Sequence, residues 1–159
     1  LMGERTPHLD PAAKGVFFGL SARHTKRDML RAVMKGVAYS LKDCMEIIKE
    51  MGIDVTEVRA SGGGGKSKLW RQIQADLFNT EVVTINSSEG GALGVALLAG
   101  VGAGVYSSIQ EACESVIKVV SKQETTKENS EIYSKYYEVF VKLYPALKEQ
   151  FKTVAEIIG

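Results

Sequence analysis

The chain has 159 residues, of which 45% are hydrophobic and 25% are charged, and its formal net charge at pH 7 is +1. These values are typical of a globular domain that buries an apolar core. They argue against a nucleic-acid partner and against a polybasic membrane patch, because both need a strong positive field.

Cysteine and histidine are scarce. Cys44 and Cys113 stand at no metal-ligand spacing from His8 or His24, so no metal site is expected. Scarce cysteines suit a reducing cytosol, and the sequence leaves open whether the two pair or pack in the core. The most apolar stretch, 90–105, is too short and too glycine-rich to span a bilayer, and no secretory segment opens the chain. A soluble, cytoplasmic protein without a membrane partner is expected.

The first 23 residues predict a loop. They contain Pro7, Pro11 and Gly15, followed by the apolar run 16–20, which predicts a short strand or turn. Because the chain begins at Leu1 within this loop, we expect it to be a piece of a longer protein.

A long amphipathic helix is predicted over 25–51, ending at Gly52. Its apolar residues recur at steps of three and four: Met29, Leu30, Val33, Val37, Leu41, Met45 and Ile48. Ala32, Gly36 and Ser40 form a row of small residues on the same helix, which permits close packing.

Four consecutive glycines then separate a predicted strand, 54–60, from a predicted helix, 67–79. Glycine lets backbone amides approach a ligand, and the start of the next helix offers N–H groups and a positive dipole end. Ser67 is placed to cap that helix. A Walker A loop is excluded because Ala60 stands where its first glycine belongs, and a dinucleotide fingerprint fails as well. The run predicts a ligand-approaching turn, and a tight turn without a ligand is the alternative.

The helix over 67–79 is expected to stop at Asn79. Its expected core residues are Leu69, Trp70, Ile73 and Leu77. A second strand is predicted over 81–85. This alternation of helix and strand predicts an α/β fold with crossover connections.

The remaining segments are predicted to be mainly helical. A turn over 86–91 leads to a helix over 91–102, with Leu93, Leu97 and Leu98 supplying bulk opposite the small residues Ala92, Ala96 and Gly100. A short helix over 109–120 and a polar linker over 121–130 follow.

The tail over 131–158 predicts two helical segments, or one helix kinked at Pro145. Its apolar residues at helical spacing are Tyr133, Tyr136, Tyr137, Phe140, Leu143, Tyr144, Leu147, Phe151 and Val154. Helical spacing and interleaved acidic residues favour a packing stripe over a stacking surface for nucleic acid.

Four blocks of sequence carry a family resemblance when they are taken in order. They are 3–8 with Asp10, Pro11 and Gly15; His24 and Thr25 with 30–33 and Gly36; 62–67 with 69–72, Ala75 and Asp76; and 89–94 with Ala96, Ala99, Gly102 and Gly104. Together they resemble the C-terminal part of the FGGY carbohydrate kinases, most closely the xylulokinase branch.

The resemblance implies the C-terminal half of the actin, Hsp70 and sugar-kinase fold, which is ribonuclease H-like α/β, here with an incomplete sheet and packed helices. Residues 1–120 would form most of the ATP-binding domain, and 121–159 a linker and helical tail packed on it. The N-terminal sugar-binding domain would be absent. The implied activity is ATP-dependent phosphoryl transfer to a hydroxyl of D-xylulose. Alternatives are a kinase for gluconate, ribulose, glycerol or another polyol, or a noncatalytic nucleotide-binding or oligomerisation module.

The resemblance also implies the site. Gly62, Gly63, Gly64 and Gly65 would lie against the adenine and ribose of ATP, through their backbone. Lys66 and Ser67 would reach the ribose or phosphates, with a solvated lysine as the alternative for Lys66.

ATP and Mg²⁺ are the cofactors expected in the complete enzyme, and the sugar would be bound through the missing domain. We assign no catalytic base and no metal ligand to this chain, because in the family these precede the point where it begins. The chain alone is therefore expected to lack kinase activity.

Further expectations concern the helix over 91–102, two charged residues and the exposed surface of the chain. The row Ala92, Ala96 and Gly100 resembles a hinge helix at an interdomain joint. Lys35 stands where the family usually has Glu, and a structural pair with a carboxylate is expected for Arg5. An isolated half of a cleft exposes apolar surface, which predicts self-association, for example as a homodimer.

Overall fold

The computed structural model describes residues 3–87 and 90–158. In chain order the elements are α1 (Lys26–Glu50), β1 (Glu57–Arg59), α2 (Gly62–Gly65), α3 (Lys68–Phe78), β2 (Glu81–Ile85), α4 (Gly90–Gly102), α5 (Ile109–Val116), β3 (Val119–Gln123) and α6 (Lys127–Ile158). The chain divides into two compact units. The first contains Leu1–Val55 and Lys127–Gly159, and the second contains Thr56–Thr126.

In the first unit, α1 confirms the predicted long helix. Asp28 fixes its beginning, because one carboxylate oxygen accepts hydrogen bonds from the backbone N–H and the hydroxyl of Thr25, both at 2.7 Å. The buried residues of α1 are Ala38, Tyr39 and Met45. The other six residues of the predicted apolar row are 37–58% exposed, so most of that row lies outside the buried face.

Aromatic residues of α6 explain which face of α1 is buried. The Tyr39 ring lies 5.2 Å from the Phe140 ring, centroid to centroid, and the Tyr39 hydroxyl donates to the carbonyl of Tyr133 at 3.3 Å. The Tyr137 hydroxyl donates to Asp43 at 2.5 Å. Burial raises the pKa of Tyr137, and the bond to Asp43 raises it further. The packing stripe predicted for the tail is thus confirmed at these residues.

α6 is a single helix that continues through Pro145, rather than two segments. Not every aromatic residue of the predicted stripe is buried, because Tyr136 is 61% exposed whereas Tyr133 is 4% exposed. Lys35 contacts this stripe: its Nζ lies 4.5 Å from the centroid of the Tyr133 ring, which is a cation–π distance.

The N-terminal segment, which was predicted to be a loop, contains a turn closed by backbone hydrogen bonds. Glu4 and Asp10 exchange two backbone hydrogen bonds, of 2.8 and 2.9 Å. The apolar run 16–20 is exposed and forms no strand, so of the two predicted alternatives, a short strand or a turn, the strand is not formed. No ion pair within the described residues includes Arg5, and the Glu4 carboxylate instead accepts from the backbone N–H of His8 at 2.8 Å.

Asp10 links this turn to α6 and makes it sensitive to pH. Its carboxylate accepts from the backbone N–H of Ala12 at 2.8 Å and from the Tyr144 hydroxyl at 2.9 Å. These two hydrogen bonds lower the pKa of Asp10 below its ordinary value of 3.8. A lowered pKa in the folded state stabilises the fold above the unfolded pKa, and this contribution disappears as pH falls through the folded pKa.

We therefore expect Asp10→Asn to lower the thermal unfolding midpoint at neutral pH, and the difference from the native chain to shrink as pH falls below 3.8. Thermal unfolding followed by circular dichroism across this pH range measures both effects. Asp54→Asn, at an exposed carboxylate in the loop before β1, is the matched control. A difference for Asp10→Asn that persists at low pH would contradict this assignment.

The second unit is built on a sheet of order β1-β2-β3. β1 pairs parallel with β2, in register Glu57 to Glu81, and β2 pairs antiparallel with β3. The connection from β1 to β2 passes through α3, so the predicted α/β crossover is confirmed. α3 lies against β2 and β3. Its core residues include Ile73 and Leu77, at 1% and 2% exposure.

β3 corrects two predictions. The helix predicted over 109–120 ends at Val116, and the predicted linker over 121–130 contains the end of β3 and the start of α6. Residues 119–123 form a strand because they pair with β2, where Val82 lies opposite Gln123. Asn86 supports this pairing, because its amide donates to the carbonyl of Val116 and accepts from the N–H of Lys118. The domain division drawn at residue 120 stays a prediction.

α3, β2 and α4 lie close to their predicted bounds, whereas β1 is shorter than the predicted 54–60. Residues 88 and 89, which belong to the predicted turn over 86–91, lie outside the described residues. Cys44 and Cys113 are both free thiols. No helix of the described part of the chain is long and apolar enough to cross a membrane.

Candidate functional site

The four glycines form one helical turn, α2, rather than an irregular loop. The chain enters from an extended Ser61, and Gly62 has a φ of +66°, which L-residues rarely adopt. The turn is closed by the backbone bond from Gly65 N–H to the carbonyl of Ser61, at 3.3 Å. We call residues 62–65 the glycine turn.

Two of the glycines are required by close packing. A Cβ at Gly64 would lie 2.0 Å from Cζ3 of Trp70. A Cβ at Gly65 would lie 3.0 Å from the carbonyl carbon and oxygen of Ala60, at the end of β1. These two residues form the inner side of the glycine turn, and their small size is explained by the fold itself.

The other two glycines form an open outer side. Gly62 and Gly63 are exposed, and among the described residues no atom beyond the turn's own backbone and the adjacent residues lies within 4 Å of the position that a Cβ would occupy at either one. The positive φ of Gly62 accounts for glycine at that position, whereas neither backbone conformation nor packing explains why Gly63 carries no side chain. The backbone at this point is open to solvent.

Lys66 and Ser67 connect the glycine turn to α3. The Ser67 side chain accepts from the backbone N–H of Trp70 at 3.3 Å, which confirms the predicted N-cap. Lys66 is exposed. Contact of either residue with a nucleotide stays a prediction, as it does for the four glycines.

Arg71, for which no role was predicted from sequence, contacts the glycine turn. Arg71 is 9% exposed, its Nη1 donates to the carbonyl of Gly65, and its Nη2 donates to the hydroxyl of Ser121 on β3 at 3.3 Å. The helical spacing of the sequence does indicate that Arg71 lies on the inner face of α3. Arg71 shares a helical face with Ala75 and Phe78, at spacings of four and seven, and both of these are buried.

The predicted hinge helix, α4, is largely exposed on its small-residue face. Ala92 and Ala96 are exposed, whereas Leu97 is 5% exposed. Leu98, which was expected to supply bulk, is 63% exposed. A role for this face in an interdomain joint stays a prediction.

Comparison with known proteins identifies the family. The family sequence model for the C-terminal domain of the FGGY family of carbohydrate kinases matches residues 1–103, and the chain belongs to this family. The xylulose kinase of Staphylococcus epidermidis is 44% identical over 102 residues, which are 64% of this chain and 21% of that protein. The chain thus spans about a fifth of the length of this relative.

Solved structures of sugar kinases have the same fold. The ligand-bound xylulose kinase from Lactobacillus acidophilus matches 96% of this chain and 31% of its own length, with a TM-score of 0.90 and 27% identity. A gluconate kinase from the same organism matches 96% of this chain and 31% of its own length, with a TM-score of 0.88 and 28% identity. The predicted sugar-kinase fold and the predicted family are both confirmed.

Proposed function

We propose that this chain is the nucleotide-binding part of an ATP-dependent sugar kinase, whose complete form transfers a phosphoryl group from ATP to a hydroxyl of D-xylulose. The open outer side of the glycine turn carries this proposal, because Gly62 and Gly63 are exposed and neither packing nor backbone conformation explains why Gly63 lacks a side chain. Membership of the FGGY carbohydrate kinases supplies the reaction class.

The geometry of the glycine turn fits an adenosine group. A flat base and ribose need an unobstructed backbone surface, which Gly62 and Gly63 provide. Lys66 is exposed beside the turn, where an ammonium group favours phosphate oxygens. When bound, ATP supplies the phosphoryl group, and the residues of this chain bind and orient the nucleotide.

We place the remaining chemistry outside residues 1–159. Phosphoryl transfer needs a base for the sugar hydroxyl and a divalent metal on the phosphates. Within the described residues, no group of three or more His, Cys, Asp or Glu is arranged to hold a metal ion. We therefore propose that the chain binds nucleotide but does not phosphorylate sugar alone, and that the complete enzyme is cytoplasmic.

Gluconate is the second candidate substrate. The gluconate kinase structure matches this chain almost as well as the xylulose kinase structure, with TM-scores of 0.88 and 0.90 and nearly equal identities. D-Xylulose is preferred because the relative that is 44% identical in sequence is a xylulose kinase.

Trp70 provides a direct test of nucleotide binding. It is the single tryptophan of the chain, and its ring packs on Gly64 of the glycine turn. We expect adenosine and Mg-ATP each to change its fluorescence saturably. Gly63→Leu is expected to weaken the affinity for adenosine and for Mg-ATP at least about tenfold, because the new side chain would occupy the open outer side of the glycine turn. Leucine is also the better helix former, so the turn itself is not expected to unfold.

The control is Gly102→Leu, at the end of α4, where no described residue outside the backbone of that helix and the adjacent residues comes within 4 Å of the added Cβ. It is expected to bind both ligands like the native chain. Gly64 is unsuitable for this test, because a side chain there would strike the Trp70 ring and alter the signal directly. Native affinity in Gly63→Leu, or no binding by the native chain, would contradict a nucleotide site at the glycine turn.

A further inference from the structure

Arg71 is a buried cation that no carboxylate of the described residues pairs with. It is 9% exposed, and none of the three ion pairs in residues 3–87 and 90–158 includes it. Its Nε lies buried without an acceptor among those residues. A buried cation held by neutral oxygens contributes less to stability than an apolar residue of the same volume. This cost argues for a role beyond packing.

The contacts of Arg71 point to the glycine turn. Its Nη1 donates to the carbonyl of Gly65, the last residue of that turn, and its Nη2 donates to Ser121 at 3.3 Å. The backbone N–H of Arg71 bonds to the carbonyl of Ser67 at 3.0 Å, which anchors the residue in the first turns of α3. Because the guanidinium is a rigid planar fork borne by α3, it fixes the position of Gly65 relative to that helix.

Holding Gly65 determines which side of the turn is open. Gly65 is buried against Ala60 at the end of β1, whereas Gly62 and Gly63 are exposed. With its carbonyl held by Arg71 and its Cα against Ala60, Gly65 cannot rotate outward without breaking both contacts. The backbone of Gly62 and Gly63 therefore stays on the solvent side.

We propose that Arg71 is a positioning residue for nucleotide binding. It contacts the backbone of the glycine turn rather than the nucleotide, and it holds that turn in the conformation that presents Gly62 and Gly63. The identity of the ligand rests on the proposed function, whereas the control of the turn by Arg71 does not.

The test compares Arg71→Ala with Ser121→Ala in the full chain, by adenosine affinity and by the emission maximum of Trp70 without ligand. Arg71→Ala is expected to weaken adenosine binding about tenfold or more, since it removes a charge-assisted hydrogen bond to the turn. It is also expected to shift the Trp70 emission, because Trp70 packs on Gly64. Ser121→Ala leaves the bond to Gly65 in place and is expected to change neither quantity.

Chemical rescue separates positioning from general destabilisation. Added guanidinium ion, well below denaturing concentrations, is expected to restore part of the adenosine affinity of Arg71→Ala, whereas sodium chloride of equal ionic strength is not. If Arg71→Ala does not fold, Arg71→Met, which fills the volume without donors, takes its place in the affinity and emission measurements.

Failure of the proposed role of Arg71 can be told apart from failure of the proposed function. Native adenosine affinity in Arg71→Ala, or an equal loss in Ser121→Ala, would overturn the role of Arg71. If the native chain binds no adenosine, the proposed function is contradicted, and Trp70 emission then decides the inference. A shift in Arg71→Ala alone supports control of the turn, and an unchanged emission overturns it.

Discussion

Replacing Ile73 with alanine is expected to lower the free energy of unfolding by about 3 kcal/mol. Ile73 is 1% exposed on α3, the helix that lies against β2 and β3, where Val82 and Val83 are fully buried. The change removes buried methyl and methylene groups and leaves a cavity that close-packed neighbours fill only in part. Urea unfolding followed by the fluorescence of Trp70, three residues earlier on α3, measures the loss in this unit.

Leu69→Ala is the matched control for Ile73→Ala. Leu69 belongs to the same helix but is 52% exposed, so its replacement is expected to cost less than about 1 kcal/mol. Similar losses in the two variants would contradict the burial described for α3. Both residues were predicted to lie in the core, and the prediction is confirmed for Ile73 and wrong for Leu69.

Local signals explain why several elements were predictable. α3 begins after a Ser67 cap and ends at Asn79, whose φ of 52° is the left-handed conformation typical of a helix end. β2 is a run of β-branched residues within 81–85. Each of these signals lies within a few residues of the boundary that it determines, so it can be read without knowledge of the fold.

β3 was missed because its signal is not local. Ser121, Lys122 and Gln123 are polar, as in a linker, but they pair with β2 and Gln123 is 8% exposed. Propensity for a strand depends strongly on the neighbouring strand, and composition alone does not reveal that neighbour. The same limit explains why only some members of the apolar row on α1 are buried.

The candidate site shows the same division between local and tertiary information. The position of the glycine turn followed from the run of four glycines. The distinction between its inner and outer sides did not, because it depends on contacts with Trp70 and Ala60. The bond from Arg71 to Gly65 likewise joins residues six positions apart across two helices, which no motif records.

Asp76 carries the second large effect, because it joins α3 to the segment that follows β3. It is 2% exposed, and its Oδ1 accepts from the Gln72 side chain and from the backbone N–H of Thr126, both at 2.8 Å. The Gln72 amide also donates to the carbonyl of Glu124 at 2.8 Å. A buried carboxylate used in this way holds two segments of the fold together.

Asp76→Ala is therefore expected to lower the free energy of unfolding by about 2–3 kcal/mol, since it removes an ionised acceptor from two donors in a buried place. Asp76→Asn keeps an oxygen at Oδ1 and is expected to lose only about 1 kcal/mol. Urea unfolding followed by Trp70 fluorescence measures both, with Asp54→Ala as an exposed control. An equal loss in Asp76→Asn and Asp76→Ala would show that the charge, rather than the acceptor position, stabilises this segment.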